Sequence, residues 1–146
     1  MKKKRYGRPV LAGIVLMLAL TGCRFFGDTG AVRVEPMKSE DFSAEELQAA
    51  EECVKRYFFW HYKDCRLMTL AYDQERSRAE GASYENNYPE EGVTADHVIV
   101  LLGSYRTGAH PGAALTENSE YPCQGLMVRD GPAGKWKVVP GMCGWG

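Results

Sequence analysis

The residues of this chain able to do acid–base chemistry are few. His61 and Asp64 stand three apart in HYKD, Asp96 and His97 are adjacent in ADHV, and His110 lies in AHPG. A histidine beside a carboxylate can act as a general base with its orienting partner, and a pocket enzyme using such an Asp/His pair is one reading. Adjacent residues at a strand start, such as Asp96 and His97, point to opposite faces. A histidine at a helix end, such as His61, also serves as a partner for the helix dipole. The chain has no Ser-His-Asp arrangement, glycine-rich phosphate loop or HExxH motif. Cys53, His61 and Cys65 share a neighbourhood, and thiolate with imidazole suits zinc. No C-x-x-C pair is present, however, and the spacing matches no standard zinc site. The expectation is a chain without metal, cofactor or catalytic residue.

Cys23 has a different setting. The start MKKKRYGRP carries five basic residues and no acid, and the apolar run that follows, Val10 to Leu20, is eleven residues long. A basic start, a short apolar core and small residues before a cut site describe a secretory signal peptide over residues 1–22. A membrane-spanning helix needs about 20 apolar residues. Leu20-Thr21-Gly22-Cys23 resembles the bacterial lipobox. The resemblance implies acylation of the Cys23 sulfur, cleavage before it, and a lipid anchor holding the chain to a bacterial membrane outside the cytoplasm. Each buried methylene contributes about 0.8 kcal/mol, so two or three chains anchor stably without a spanning helix.

The whole chain carries −1, and removing a segment with five positive charges and no negative ones leaves −6. An acidic domain without a basic stripe is a poor partner for nucleic acid, whose binding rests on neutralised phosphates.

Residues 23–40 read as the lipidated cysteine and a spacer, with AVRV as a short edge strand. Residues 41–146 then read as one domain. DFSAEELQAAEECVKRYFFWHY holds Ser43 as N-cap, Glu46 three residues on, and Phe42 and Leu47 at the staple positions. Leu47, Ala50, Val54, Tyr57, Phe58 and His61 follow a helical period, which predicts an amphipathic helix with one buried face. CRLMTLAY predicts a strand with imperfect alternation, covered on both sides. The polar stretch from Asp73 to Asp96 holds SYENNYPE as a short helix. HVIVLLGSYRTG is a β-branched strand, and YPCQGLMVR, DGPAG and KWKVVPGMCGWG form a hairpin whose last strand is an edge or bulges at Pro140. The sum is α+β, an N-terminal amphipathic helix covering one face of a curved antiparallel sheet.

FSAEELQAAEECVKRYF, the Cys-Arg-Leu-x-x-Leu-x-Tyr run, the VIVLL strand and Trp136-Lys-Val-Val come in an order that resembles small bacterial lipoproteins. These carry an uncharacterised domain of the nuclear transport factor two-like superfamily. The resemblance covers residues 41–146 and implies a cystatin-like α+β roll. Cys53, Cys123, Cys143 and the GMCGWG ending depart from its pattern. The superfamily hosts enzymes, ligand binders and assembly domains alike, so the fold does not deliver the function.

Four cysteines outside the cytoplasm favour disulfides. Cys123 and Cys143 lie on opposite arms of the hairpin, and Cys53 and Cys65 flank the helix end within reach of one another. The favoured pairing is 53–65 with 123–143, with crossed pairings and free thiols as alternatives. Tyr57, Phe58, Phe59, Trp60 and Tyr62 are mostly core, while Phe59 falls off the buried face. Phe59, Trp60, His61 and Asp64 are therefore the pocket candidates, and Trp145 is read as a terminal plug on the helix. The function expected is a membrane-tethered, non-enzymatic binding or envelope-interaction module for a protein or small-molecule ligand.

Overall fold

The computed structural model describes residues 25–112, 114–129 and 131–140. The signal segment, Cys23, Cys143 and Trp145 lie outside the described residues. Helix α1, Ala44–His61, forms where the capping signal places it. The Ser43 hydroxyl accepts from the Glu46 amide at 3.2 Å, and Glu46 Oε2 accepts from the Ser43 amide at 2.8 Å. Two amide donors that a helix start leaves orphaned are thereby satisfied. Leu47, Ala50, Cys53, Val54 and Phe58 form the buried stripe.

The strands are β1 (Arg33–Val34), β2 (Cys65–Tyr72), β3 (Val98–Thr107), β4 (Glu120–Val128) and β5 (Lys137–Val138). They form one sheet in chain order. The sheet is mixed rather than antiparallel throughout, because β1 runs parallel to β2 while the other neighbours are antiparallel. The chain before α1 makes that parallel edge as part of the fold. The Asp28 amide donates to the Cys65 carbonyl and the Leu67 amide to the Asp28 carbonyl, each at 2.8 Å. The described part of the expected spacer is thus packed along β2.

A second helix, α2 (Gln74–Asn87), lies between β2 and β3, where the sequence suggests only a short helix near SYENNYPE. Two short 3-10 turns, Pro89–Glu91 and Ala95–His97, lead from it into β3. The alternation along β3 divides VIVLL between two cores. Ile99, Leu101 and Tyr105 pack with the α1 stripe, Met127 and Trp136. Val98 and Val100 pack with Tyr84 of α2, Val93, Leu126 and Val128. The sheet is therefore covered on both faces, not one, and a strand buried on both sides reads as a continuous apolar run.

The imperfect alternation of CRLMTLAY has another cause. Leu67 pairs with Tyr105 and Thr69 with Ser104, so Met68 is an extra residue in a β-bulge. The bulge returns Leu70 to the face occupied by Leu67, and both belong to the α1-side core.

Candidate functional site

A cleft of about 450 Å³ lies between α1, from Glu45 to Arg56, and the segment joining β4 to β5. Glu46, Glu52, Cys53 and Arg56 line it from α1, and Arg129, Lys135 and Trp136 from the other side. Arg129, directly after β4, is only 7% exposed. Its Nη1 donates to Glu46 Oε1 at 2.6 Å and to the Pro132 carbonyl at 3.2 Å. Its guanidinium lies 4.6 Å from the centroid of the Trp136 indole, a cation–π contact. Its Nε is buried and has no hydrogen-bond partner among the described residues.

The Ser43 amide and, after it, Arg129 hold the Glu46 carboxyl below its ordinary value against the opposing effect of burial. Burial pushes the Cys53 thiol up, and its Sγ donates to the Trp136 carbonyl at 3.2 Å. The cleft thus offers an indole, a buried cation and a rim of both charges. It can hold a polar ligand with a flat apolar part. Its one thiol is protonated at neutral pH and its innermost carboxylate, Glu46, is already engaged.

The residues singled out in the sequence are spread around the molecule. His61 is exposed and stacks on Tyr57 at 4.2 Å. Asp64 takes a left-handed conformation with φ 51 in the turn between α1 and β2. Its Oδ2 accepts from the His110 amide at 2.7 Å and its carbonyl from the Gly108 amide at 2.6 Å. Asp64 therefore ties down the loop that follows β3. It also borders a second cleft, of about 380 Å³, with Asp28, Arg66 and Arg106.

Asp96 and His97 do not point apart as expected for a strand start. They sit in a 3-10 turn, where the Thr94 hydroxyl bonds both Asp96 Oδ1 and His97 Nδ1. This pair precedes Val98, while Cys65, next to Asp64, is opposite Thr107. The two acid–base pairs lie at opposite ends of β3, and none of these residues lines the Arg129–Trp136 cleft.

Phe59 is half-buried and stacks on Phe26, and Trp60 is exposed. The expected 53–65 bridge is not formed. Cys53 Sγ faces the Trp136 carbonyl, while Cys65 Sγ donates to the Lys63 carbonyl at 3.4 Å. Cys53 lies in the buried stripe of α1 with its Sγ on the segment entering β5, while Cys65 opens β2 with its Sγ turned to the preceding turn. The 123–143 pairing reaches outside the described residues. No cluster of three His, Cys, Asp or Glu able to hold a metal ion exists among the described residues. No helix among them is long and apolar enough to cross a membrane.

Arg129 and its partners Glu46 and Trp136 escape sequence reasoning as a site. The only sign is an arginine closing the apolar strand YPCQGLMVR, which reads as the last residue before the DGPAG turn. Comparison with protein families, with curated proteins and with solved structures finds no match.

Proposed function

We propose that this chain is a bacterial envelope lipoprotein, cut before Cys23 and acylated there, whose domain is a binding module rather than an enzyme. The observation that carries the binding role is Arg129, a buried cation whose Nε has no partner among the described residues, beside an indole in an open cleft. The ligand class is a polar small molecule or peptide segment with a flat apolar part. An Asp/His enzyme is disfavoured because the two candidate pairs sit at opposite ends of β3. The lipid anchor is supported by the LTGC run after a short apolar core. The finer fold reading, a cystatin-like roll of the nuclear transport factor two-like superfamily, is supported by α1 packing against β2, β3, β4 and β5.

Two measurements on the full chain expressed in a bacterial host test this. Intact mass and fractionation should find a membrane-bound chain beginning at an acylated Cys23, and a Cys23→Ser variant released from the membrane. A wild-type chain with a bare Cys23 ends the lipoprotein reading. Native mass spectrometry should find a small molecule or peptide retained by the wild type and lost when Arg56 and Lys135 at the cleft mouth are changed to Glu. Retention unaffected by those changes ends the cleft assignment.

A further inference from the structure

The first described residues and the end of α1 together make one aromatic cluster. Phe26 stacks on Phe59 with ring centroids 4.8 Å apart and meets Trp60 edge-on at 5.3 Å. Lys63 Nζ lies 5.4 Å over the Phe25 ring. Phe25 and Trp60 are 64% and 62% exposed, so large apolar side chains from two segments face water. Exposed apolar groups are ordinary when scattered, but a contiguous patch marks an interaction surface. Aromatic rings with a lysine beside them suit the level of phospholipid headgroups, where an apolar body and a charged tip are both satisfied.

Position decides the occupant. The Gly27 amide donates to the Phe59 carbonyl at 2.8 Å, closing one of the groups that the end of α1 leaves open. A Cβ at Gly27 would lie 2.6 Å from the Phe58 carbonyl oxygen and 2.8 Å from its ring, so the chain runs directly against the helix. Phe25 is therefore held at the end of α1. Cys23 precedes it by two residues, within about 7 Å of extended chain.

We infer that Phe25, Phe26, Phe59 and Trp60 form a second membrane contact, which docks the end of α1 into the headgroup layer of a phospholipid bilayer. The inference rests on the reading of Cys23 as the acylated residue. The acyl chains supply the holding energy, and the aromatic patch fixes orientation. Glu46, at the cleft, lies fourteen residues before Trp60, about 21 Å along the helix axis. Arg56, at the near end of the cleft, lies four residues before Trp60, about 6 Å along the same axis, so the cleft opens between the docked end of α1 and its free start.

The test uses the full chain purified from bacterial membranes and reconstituted into phosphatidylcholine vesicles with brominated acyl chains. The chain has three tryptophans, so Trp60 is read as the difference between wild type and Trp60→Phe. Brominated lipid should quench most of that difference signal, and an exposed position tolerates Phe without loss of fold, as circular dichroism would confirm. An unquenched difference signal overturns the inference. So does a concentration-dependent dimer lost in Trp60→Ala, which would give the patch to a second copy. Intact mass of the same sample separates the two readings. An unacylated chain with quenched Trp60 would end the lipoprotein reading and keep this one, and an acylated chain with unquenched Trp60 would do the reverse.

Discussion

Glu46 and Arg129 are joined at 2.6 Å, Oε1 to Nη1, so the first turn of α1 is fastened to the residue that follows β4. The same carboxylate receives the Ser43 amide, and one side chain closes both the helix start and the sheet end. Removing it leaves a cation that is 7% exposed without its counter-charge. Breaking a buried pair costs about 3–5 kcal/mol, and partial exposure of Glu46 reduces this to about 2 kcal/mol. Glu46→Ala should lower the urea midpoint accordingly, and Arg129→Met in the same chain should restore part of the loss.

Glu46 also predicts an acid limb. Its carboxyl is held below the ordinary value of 4.5, so its contribution is present above that pH and is lost as pH falls through the lower folded value. Glu46→Gln should flatten the fall in stability below pH 4.5. Asp41, held down by Arg78, and Asp96, held down by the Thr94 hydroxyl, contribute to the slope in the same direction.

Gly81 reverses a common rule. Alanine in a helix interior usually outperforms glycine by about 1 kcal/mol. Here a Cβ would lie 2.4 Å from the Ala95 carbonyl oxygen, backbone that cannot rotate away. Gly81→Ala should therefore destabilise by about 1–3 kcal/mol, the range for overpacking. A rise in the unfolding midpoint would show that α2 does not rest on the 3-10 turn as described.

Cys53 and Cys65 should behave as unlinked, slow thiols. Burial raises both, and burial followed by the neighbouring Asp64 pushes Cys65 up to about 11. Since the thiolate is the reactive form, alkylation at pH 8 should be slow in the folded protein and rapid in denaturant. A non-reduced peptide map containing a 53–65 crosslink would contradict the structure.

Tyr105 is fully buried, and its hydroxyl has no partner among the described residues. Tyr105→Phe should be neutral or stabilising by up to about 1 kcal/mol, because it removes an unsatisfied polar group and keeps the ring. Burial, followed by Cys65, Cys123 and Tyr121, pushes its ionisation from 10 to about 12. The folded state thus holds a proton that the unfolded chain releases. That stability is present below pH 10 and lost as pH rises toward 12, and the Phe variant should lack this part of the alkaline limb.

Legibility in the sequence followed the kind of contact each element makes. Helix α1 buries an apolar stripe and announces its start with Ser43 and Glu46, so its position was readable. Helix α2 buries only Ser77, Gly81 and Tyr84, with Gly81 against the 3-10 turn at Ala95. Two of these are small, and its attachment includes the Val100 amide donating to the Ser77 hydroxyl at 2.9 Å. Contacts of that kind leave no apolar period. The bulge at Met68 hid a regular strand behind an irregular pattern, and burial on both faces hid the alternation of β3. The cleft was illegible because Glu46 and Arg129 are distant in the chain, and Glu46 reads locally as a cap while Arg129 reads as the end of a hairpin strand.

The outer strands β1 and β5 have two residues each, carry the exposed Arg33 and Lys137, and are followed by Pro36 and Pro140. Within β4, Pro122 has no amide proton to offer. Among the described residues a neighbouring molecule therefore meets short, charged, interrupted borders, which work against extending the sheet from one copy to the next. Crowded side by side, copies of this chain should remain separate molecules rather than polymerise into fibres.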